Sequence, residues 1–297
     1  MIEAIWTLAS ALPSSAAGGF TRWESLGLTP GLDLGVFTLR WYSLAYLVGI
    51  FGGYLILKRM LREPGAPMSI PHLDDLLLWG MLGVILGGRL GYVLFYQPDY
   101  YLANPGHALR LWDGGMSFHG GFLGVLFATW WASRRHHLSF LRVTDWVAVI
   151  VPLGMLLGRL ANFVNGELWG RVTDVPWAMI FPGDPTGLPR HPSQLYQAGL
   201  EGLALLIVMT LLFWRTKARY YPGLLCGVFA LWMGLSRFIV EFFREPDAQL
   251  AGLVARTWLS MGQWLTIPLI LVGIYLVATA RGRRQRVEPF AGGPSVA

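Results

Sequence analysis

The chain has 297 residues, 54% of them hydrophobic and only 13% charged, about half the charged share of an average soluble protein. With a mean hydropathy of +0.49, an ordinary water-soluble domain is excluded, because its surface would need more charge; the outside of this protein must be apolar too. The net charge of +6 sits in short basic clusters between apolar runs, which reads as membrane orientation and implies no nucleic-acid partner.

The first segment, residues 1–35, opens with a short apolar stretch over 5–12. It is a poor signal peptide, since Glu3 and no Lys or Arg precede that stretch. It is expected to be extracytoplasmic, and partly mobile or interfacial. Residues 36–281 read as a single transmembrane domain, and 282–297 as a basic cytoplasmic tail. About twenty mostly apolar residues cross a bilayer as a helix. Seven stretches qualify: 41–57, 76–96, 115–133, 144–162, 200–214, 222–239 and 264–280. The fold class is therefore all-α, a polytopic integral membrane protein of about seven transmembrane helices. The longest connection, 163–199, is rich in Gly, Pro, Asn and Asp and reads as an outer loop. Glycines recur at four-residue spacing (Gly49/Gly53, Gly83/Gly87/Gly91, Gly154/Gly158, Gly223/Gly227), as helices that approach closely in lipid require. The one cysteine, Cys226, lies in an apolar run and reads as a packing residue.

Orientation follows from Lys and Arg near the span ends. Thirteen of them, at 58, 59, 62, 134, 135, 142, 215, 217, 219, 281, 283, 284 and 286, fall on one side. Seven (Arg22, Arg40, Arg110, Arg171, Arg190, Arg244 and Arg256) fall on the other. The richer side is cytoplasmic, which puts the N-terminus outside and the C-terminus inside.

Three arginines remain, Arg89, Arg159 and Arg237, each late in a span that runs outward. An arginine at a helix centre costs roughly 2.5–3.5 kcal/mol on insertion scales. One such residue can snorkel to the interface; three on three helices favour a shared polar site in the outer half. Arg159 and Asn162 are three apart, and Arg237, Glu241 and Arg244 step by four and three, so each set shares a helix face. Glu241 is placed to hold Arg237. Asn165, Glu167, Trp169 and Gly170 follow Arg159 at the outer mouth. Tyr42 starts the first span, and His119, flanked by Gly120 and Gly121, starts the third. Those glycines would let a substrate approach His119. His136 and His137 fall in a cytoplasmic basic cluster and read as solvated, as does His72. His191 leads a His-Pro-Ser-Gln-Leu-Tyr run in which Pro192 starts a helix and Gln194 and Tyr196 are further polar candidates. No His-Glu-x-x-His, Gly-x-Ser-x-Gly, Walker or dinucleotide glycine pattern occurs, so none of those metal or cofactor chemistries is indicated.

Arginines at headgroup depth with Asn and Tyr beside them suit a phosphate, because the guanidinium fork matches phosphate oxygens and keeps its charge. The pattern implies an anionic phospholipid in the outer leaflet. By itself it fits a lipid-modifying enzyme or a phospholipid flippase or transporter; the restriction of the charges to the outer half disfavours the latter.

The run Gly158-Arg-Leu-Ala-Asn-Phe-Val-Asn-Gly-Glu-Leu-Trp-Gly170 closely resembles the signature of bacterial prolipoprotein diacylglyceryl transferases. So do Trp41-Tyr42, Gly88-Arg-Leu-Gly-Tyr-Val-Leu-Phe-Tyr96, Trp112-Asp-Gly-Gly-Met-Ser-Phe-His-Gly-Gly121, Arg190-His-Pro-Ser-Gln-Leu-Tyr196 and Arg237-Phe-Ile-Val-Glu-Phe-Phe-Arg244. The matches run in order from about residue 41 to 267; residues 1–35 and the tail after Arg281 carry none. The resemblance implies a transferase of the bacterial plasma (inner) membrane, multi-pass, with its active site on the periplasmic or outer side. It would move the diacylglyceryl group of phosphatidylglycerol onto the thiol of the lipobox cysteine in a prolipoprotein signal peptide, the first step of lipoprotein maturation. A thioether forms, glycerol phosphate leaves, and no cofactor or metal takes part. The partners implied are phosphatidylglycerol, lipobox prolipoproteins and membrane lipids. On this resemblance His119, Arg159 and Arg237 are the catalytic candidates. Tyr42, Arg89, Gly120, Asn162, Glu167, Gly170, Glu241 and Arg244 are the substrate-binding candidates. Met233 stands where some members carry a tyrosine, so no role is carried over to it.

Overall fold

The computed structural model describes residues 19–35, 38–245 and 259–285. Residues 1–18, most of the tail, and the expected basic positions Arg256 and Arg286 lie outside the described residues. The helices are α1 (Trp41–Met60), α2 (Ile70–Phe95), α3 (Pro98–Ala103), α4 (Phe118–Arg135), α5 (Phe140–Val164), α6 (Ser193–Arg215), α7 (Leu224–Val240) and α8 (Met261–Thr279). Four short strands accompany them: β1 (Thr21–Arg22), β2 (Gly31–Asp33), β3 (Thr38–Arg40) and β4 (Met179–Ile180).

Each of the seven expected spans coincides with a helix. Five are long and apolar enough to cross a membrane: α1, α2, α5, α6 and the stretch Gly262–Arg283 that contains α8 from its second residue. Helix α7 is apolar but has 17 residues. Helix α4 carries His119 in its first turn and Arg134 and Arg135 in its last, which lowers its mean hydropathy. Large apolar side chains such as Phe51, Leu86 and Leu271 are at least 60% exposed, the arrangement expected of helices solvated by lipid. Helix starts are set locally. Ser69 caps α2 with His72 in a capping box, and Ser117 caps α4 by accepting from the Gly120 amide. Pro152 and Pro268 lie inside α5 and α8, which membrane helices tolerate.

Helix α6 differs most from expectation. It begins at Ser193, seven residues before the apolar stretch that marks it in the sequence, and runs 23 residues with a π-helical section over Ala198–Ala204. Gln194, Gln197 and Glu201 interrupt the apolar pattern there, yet all three are buried.

The chain divides into two compact units. The described residues of the first fall within 19–53, 148–216 and 224–279. Gly49 of α1 lies against Gly154 of α5, and Gly53 against Ile150. Gly202 of α6 sits on the backbone of Leu156, and Gly227 and Gly234 of α7 receive Leu276 and Ile270 of α8. The segment before α1 is held in this unit. β1 pairs in parallel with β4, and β2 pairs with β3. Trp23 is buried with Met179 and Phe181, and its indole N–H donates to the Phe163 carbonyl at 2.8 Å. Trp23 and Leu28, in the segment expected to be partly mobile or interfacial, thus belong to a small packed core.

The described residues of the second unit are 54–147, 217–223 and 280–285. Its centre is the α2–α4 pair. Gly83, Gly87 and Gly91 of α2 face Gly124 and Gly120 of α4 so closely that an added methyl group at any of them meets the other helix. Gly158, by contrast, has open space where a side chain would be, so its four-residue spacing from Gly154 is not a packing device. At the other end of this unit the Asp145 carboxylate accepts from the Gly223 amide at 2.6 Å, and Arg219 reaches Glu63 at 3.5 Å. His136, expected to be solvated, hydrogen-bonds Asp75 at 2.7 Å and its ring lies 4.5 Å from that of His72. The basic cluster around it had hidden a carboxylate sixty-one residues earlier in the chain.

Candidate functional site

In the first unit, Arg159 sits on the last turns of α5, half-buried. One of its terminal nitrogens lies 3.5 Å from the Asn162 Oδ1. The Asn162 side chain, itself buried, donates to Glu167 Oε1 at 2.9 Å, and Asn165 donates to the same oxygen at 3.1 Å. The Asn165-to-Gly170 turn that carries Glu167 is fixed from below. Gln194 donates to the Glu167 carbonyl at 2.6 Å and Ser193 to the Leu168 carbonyl at 3.1 Å. Leu168 adopts φ +60°, a left-handed conformation that a leucine holds only when its neighbours enforce it. Tyr42, at the start of α1, hydrogen-bonds Tyr46 at 3.2 Å and interacts electrostatically with Glu167 and Arg159.

Arg237 lies near the end of α7. Glu241 Oε2 stands 3.3 Å from Arg237 and 3.7 Å from Arg244, close enough for ion pairs but without hydrogen-bond geometry to either. The N-terminus of α8 receives this carboxylate. A side-chain carbon on Gly262 would lie 2.6 Å from it and push the carboxylate aside, and the positive end of the helix dipole favours the charge. Arg159 and Arg237 also act on one another electrostatically. The structure therefore places in one unit two sets of polar contacts, Arg159–Asn162–Glu167 and Arg237–Glu241–Arg244, together with the Tyr42–Tyr46 pair.

Gly170 is fixed for a different reason. Its amide donates to the His191 carbonyl at 2.8 Å, and an added side chain would collide with the Phe243 carbonyl and with His191. It lets the 163–199 connection pass against the end of α7, where the Arg171 Nε also donates to the Arg244 carbonyl at 2.7 Å. Beneath it lies a network that sequence reasoning missed. Arg190, 7% exposed, is paired to Asp184 and donates to the Gly170 carbonyl at 3.2 Å and to Glu245 at 3.0 Å. Burial alone would raise the Asp184 carboxyl, but hydrogen bonds from Arg190 and Thr186 outweigh it and hold the group below the usual carboxylate range. Burial also lowers the His191 imidazole, which favours its neutral form.

In the second unit, Arg89 is 5% exposed and spends all its donors on backbone carbonyls of one loop. Nε donates to Ala108 at 2.8 Å. One terminal nitrogen donates to Gly114 and to Gly115 (3.2 Å), the other to His107 (2.7 Å) and Arg110 (2.9 Å). Its guanidinium also lies over the Tyr101 ring. A guanidinium has five N–H groups, so every donor is engaged without a substrate. Gly120, expected to open space for a substrate, faces α2 at Gly87 and Gly91; its missing side chain is filled by a helix. His119 is exposed in the first turn of α4. Among the described residues no group of three or more His, Cys, Asp or Glu side chains is placed to hold a metal ion.

Tyr46, Arg190, Asp184 and Gly262 are the contributors that sequence reasoning did not single out for the site. The i, i+4 spacing of Tyr42 and Tyr46 was a usable signal. The others depend on contacts between distant segments.

Residues 31–279 match the family model described as prolipoprotein diacylglyceryl transferase. A protein of Erythrobacter litoralis named phosphatidylglycerol–prolipoprotein diacylglyceryl transferase is 58% identical over 93% of this chain and 98% of its own length. Proteins of the same name from Zymomonas mobilis (51% identical, 88% of this chain and 94% of the relative) and Ectopseudomonas mendocina (52%, 88% and 96%) are also similar. With the match covering most of both chains, this chain belongs to the prolipoprotein diacylglyceryl transferase family.

Proposed function

We propose that this protein transfers the diacylglyceryl group of phosphatidylglycerol to the thiol of a prolipoprotein's lipobox cysteine. The thiol sulfur attacks the glyceryl carbon that bears the phosphate, the carbon–oxygen bond breaks, a thioether forms and glycerol phosphate leaves. The proton lost by the thiol is balanced by one gained at the phosphate side. The observation that carries this reading is the Arg159–Arg237 pair, two partly buried guanidiniums whose side-chain contacts among the described residues are few, Asn162 for one and Glu241 for the other.

The thiolate is the nucleophile, and a free thiol supplies only a few per cent of it at neutral pH. We assign His119 as the base on the strength of its sequence motif. Arg159 and Arg237 stabilise the negative charge that develops on the departing phosphate. Asn162 and Glu167 orient Arg159, Glu241 orients Arg237 from its place between Arg237 and Arg244, and Tyr42 adds a hydroxyl from α1. Gly170 and Gly120 act by permitting close packing, and Arg89 by shaping the loop that leads into α4, rather than by touching the lipid.

We further propose seven membrane crossings with α4 and α7 included, the N-terminus outside and the C-terminus cytoplasmic. The basic clusters at alternate helix ends support this. It makes residues 36–281 one catalytic membrane domain, with 1–35 extracytoplasmic and 282–297 a cytoplasmic tail, in the bacterial inner membrane with the site facing outward.

The test is transfer of labelled diacylglyceryl from phosphatidylglycerol to a lipobox peptide by the purified protein, with a Cys→Ser peptide as control. Label on the cysteine peptide alone, with glycerol phosphate released, is expected. A folded protein that binds phosphatidylglycerol but transfers nothing would revive the flippase reading.

A further inference from the structure

Glu201 is a charge that the mechanism above leaves unused. It is 0% exposed, and neither of its carboxylate oxygens has a hydrogen-bond partner among the described residues. A buried carboxylate without compensation is costly, so such a group persists only where something nearby needs it. Its position is set by backbone geometry. It lies in the π-helical section of α6, a distortion that often marks functional sites. Its neighbour Gly202 lets α6 press onto α5 at Leu156, where a side-chain carbon would come within 2.6 Å of the Leu156 Cα. Leu156 is three residues before Arg159, on the same helix face.

Helix α7 meets the same section of α6, where the Trp232 Nε1 donates to the Leu200 carbonyl at 2.9 Å, so Glu201 lies where the helices that carry Arg159 and Arg237 converge, within the reach of both charges and of Glu241. Arg237 has Glu241 as an ion-pair partner at 3.3 Å, and Arg159 has the neutral Asn162. Glu201 thus stands in the field of both arginines while being hydrogen-bonded to neither.

We infer that Glu201 is a fixed counter-anion of the arginine pair, a positioning residue that sets how tightly the pair grips a phosphate and so governs product release. This rests on reading the pair as the phosphate site. The reason is electrostatic. The phosphodiester of the lipid carries one negative charge, whereas the phosphomonoester product carries up to two near neutral pH. Two arginines alone would therefore hold product more tightly than substrate. A fixed negative charge repels a ligand in proportion to that ligand's own charge, so it weakens product more than substrate.

The test compares the full-length protein with its Glu201→Gln and Glu201→Asp variants. Glycerol phosphate is the dianionic probe, and glycerophosphoglycerol, the deacylated headgroup, is the monoanionic one. Glu201→Gln is expected to bind glycerol phosphate at least roughly tenfold tighter, to gain less for glycerophosphoglycerol, and to turn over more slowly under product inhibition. Glu201→Asp, which keeps the charge, returns the affinities toward wild type. Unchanged or weaker glycerol phosphate binding in Glu201→Gln overturns the inference. Should that variant fail to fold, wild type alone decides: near-equal affinity for the two probes supports a counter-anion, and a tenfold or greater preference for the dianion overturns it. Wild-type protein that binds neither probe removes the phosphate site itself, and the reading of the arginine pair with it.

Discussion

Arg89 and Arg159 look alike in the sequence, each an arginine late in an apolar span preceded by glycine, yet the structure gives them opposite environments. Arg89 is enclosed by its own loop, with five backbone carbonyls answering its five N–H groups. Arg159 has a side-chain contact at 3.5 Å and a set of charged neighbours. The first is a structural clamp that organises residues 107–115 ahead of α4. The second has one long side-chain hydrogen bond among the described residues and is the arginine proposed to meet a ligand. An arginine in a membrane helix must be satisfied either by the protein or by a substrate, and what distinguishes the two here is the number of carbonyls within reach.

The sharpest way to break this comparison is to remove the clamp. Arg89→Met leaves carbonyls of the 107–115 loop unpaired and is expected to cost about 3–5 kcal/mol, the range for dismantling a buried charge network. Thermal unfolding in detergent would read it as a large loss. If Arg89→Met is as stable as wild type but no longer binds phosphatidylglycerol, Arg89 belongs with the site and the contrast is wrong. Arg159→Ala should behave in the opposite manner. Its stability stays near wild type while transfer falls by roughly 10²–10³, the usual cost of one oxyanion donor, and wild-type rates would remove its assigned role.

A smaller effect is expected at the α2–α4 contact. Gly120→Ala places a methyl group into the backbone of α2 at Gly87 and should destabilise by about 1–3 kcal/mol, as overpacking does. An unaffected melting temperature, together with a raised KM for lipid, would restore the view that Gly120 faces substrate. The smallest effect concerns pH. The Asp184 carboxyl titrates below its unfolded value, so its pairing with Arg190 contributes fully above about pH 4 and is lost as pH falls through the lowered value. Asp184→Asn is therefore expected to cost about 1–2 kcal/mol at neutral pH and nothing at strongly acid pH. Equal losses at both would show that shape rather than charge is what Asp184 supplies.

Much of this was legible in advance because the signals are local. Apolar stretches mark the seven long helices among the described residues, and the three- and four-residue steps at Arg159–Asn162 and Arg237–Glu241–Arg244 foretold contacts that the structure contains. Where reading along the chain fell short, an element depended on a distant partner. The start of α6 was missed because Gln194, Gln197 and Glu201 are polar yet buried, satisfied in part by a turn some 27 residues away in the case of Gln194. Residues 19–35 carried no periodic signal, and their order comes from β4 and from Phe163, 140 residues beyond Trp23. His136 found Asp75 in the same way.

The sequence by itself determined that the chain is a helical membrane protein of a recognisable family, because hydrophobic length and helical periodicity are properties of consecutive residues. It also determined which residue types are available to hold a phosphate. Only the tertiary structure decided which arginine is consumed by backbone carbonyls and which glycines admit a helix rather than a ligand. It also decided that a fully buried glutamate lies in the field of the arginine pair. Each of these depends on the atoms that surround a side chain in space, and those come from segments far apart in the chain.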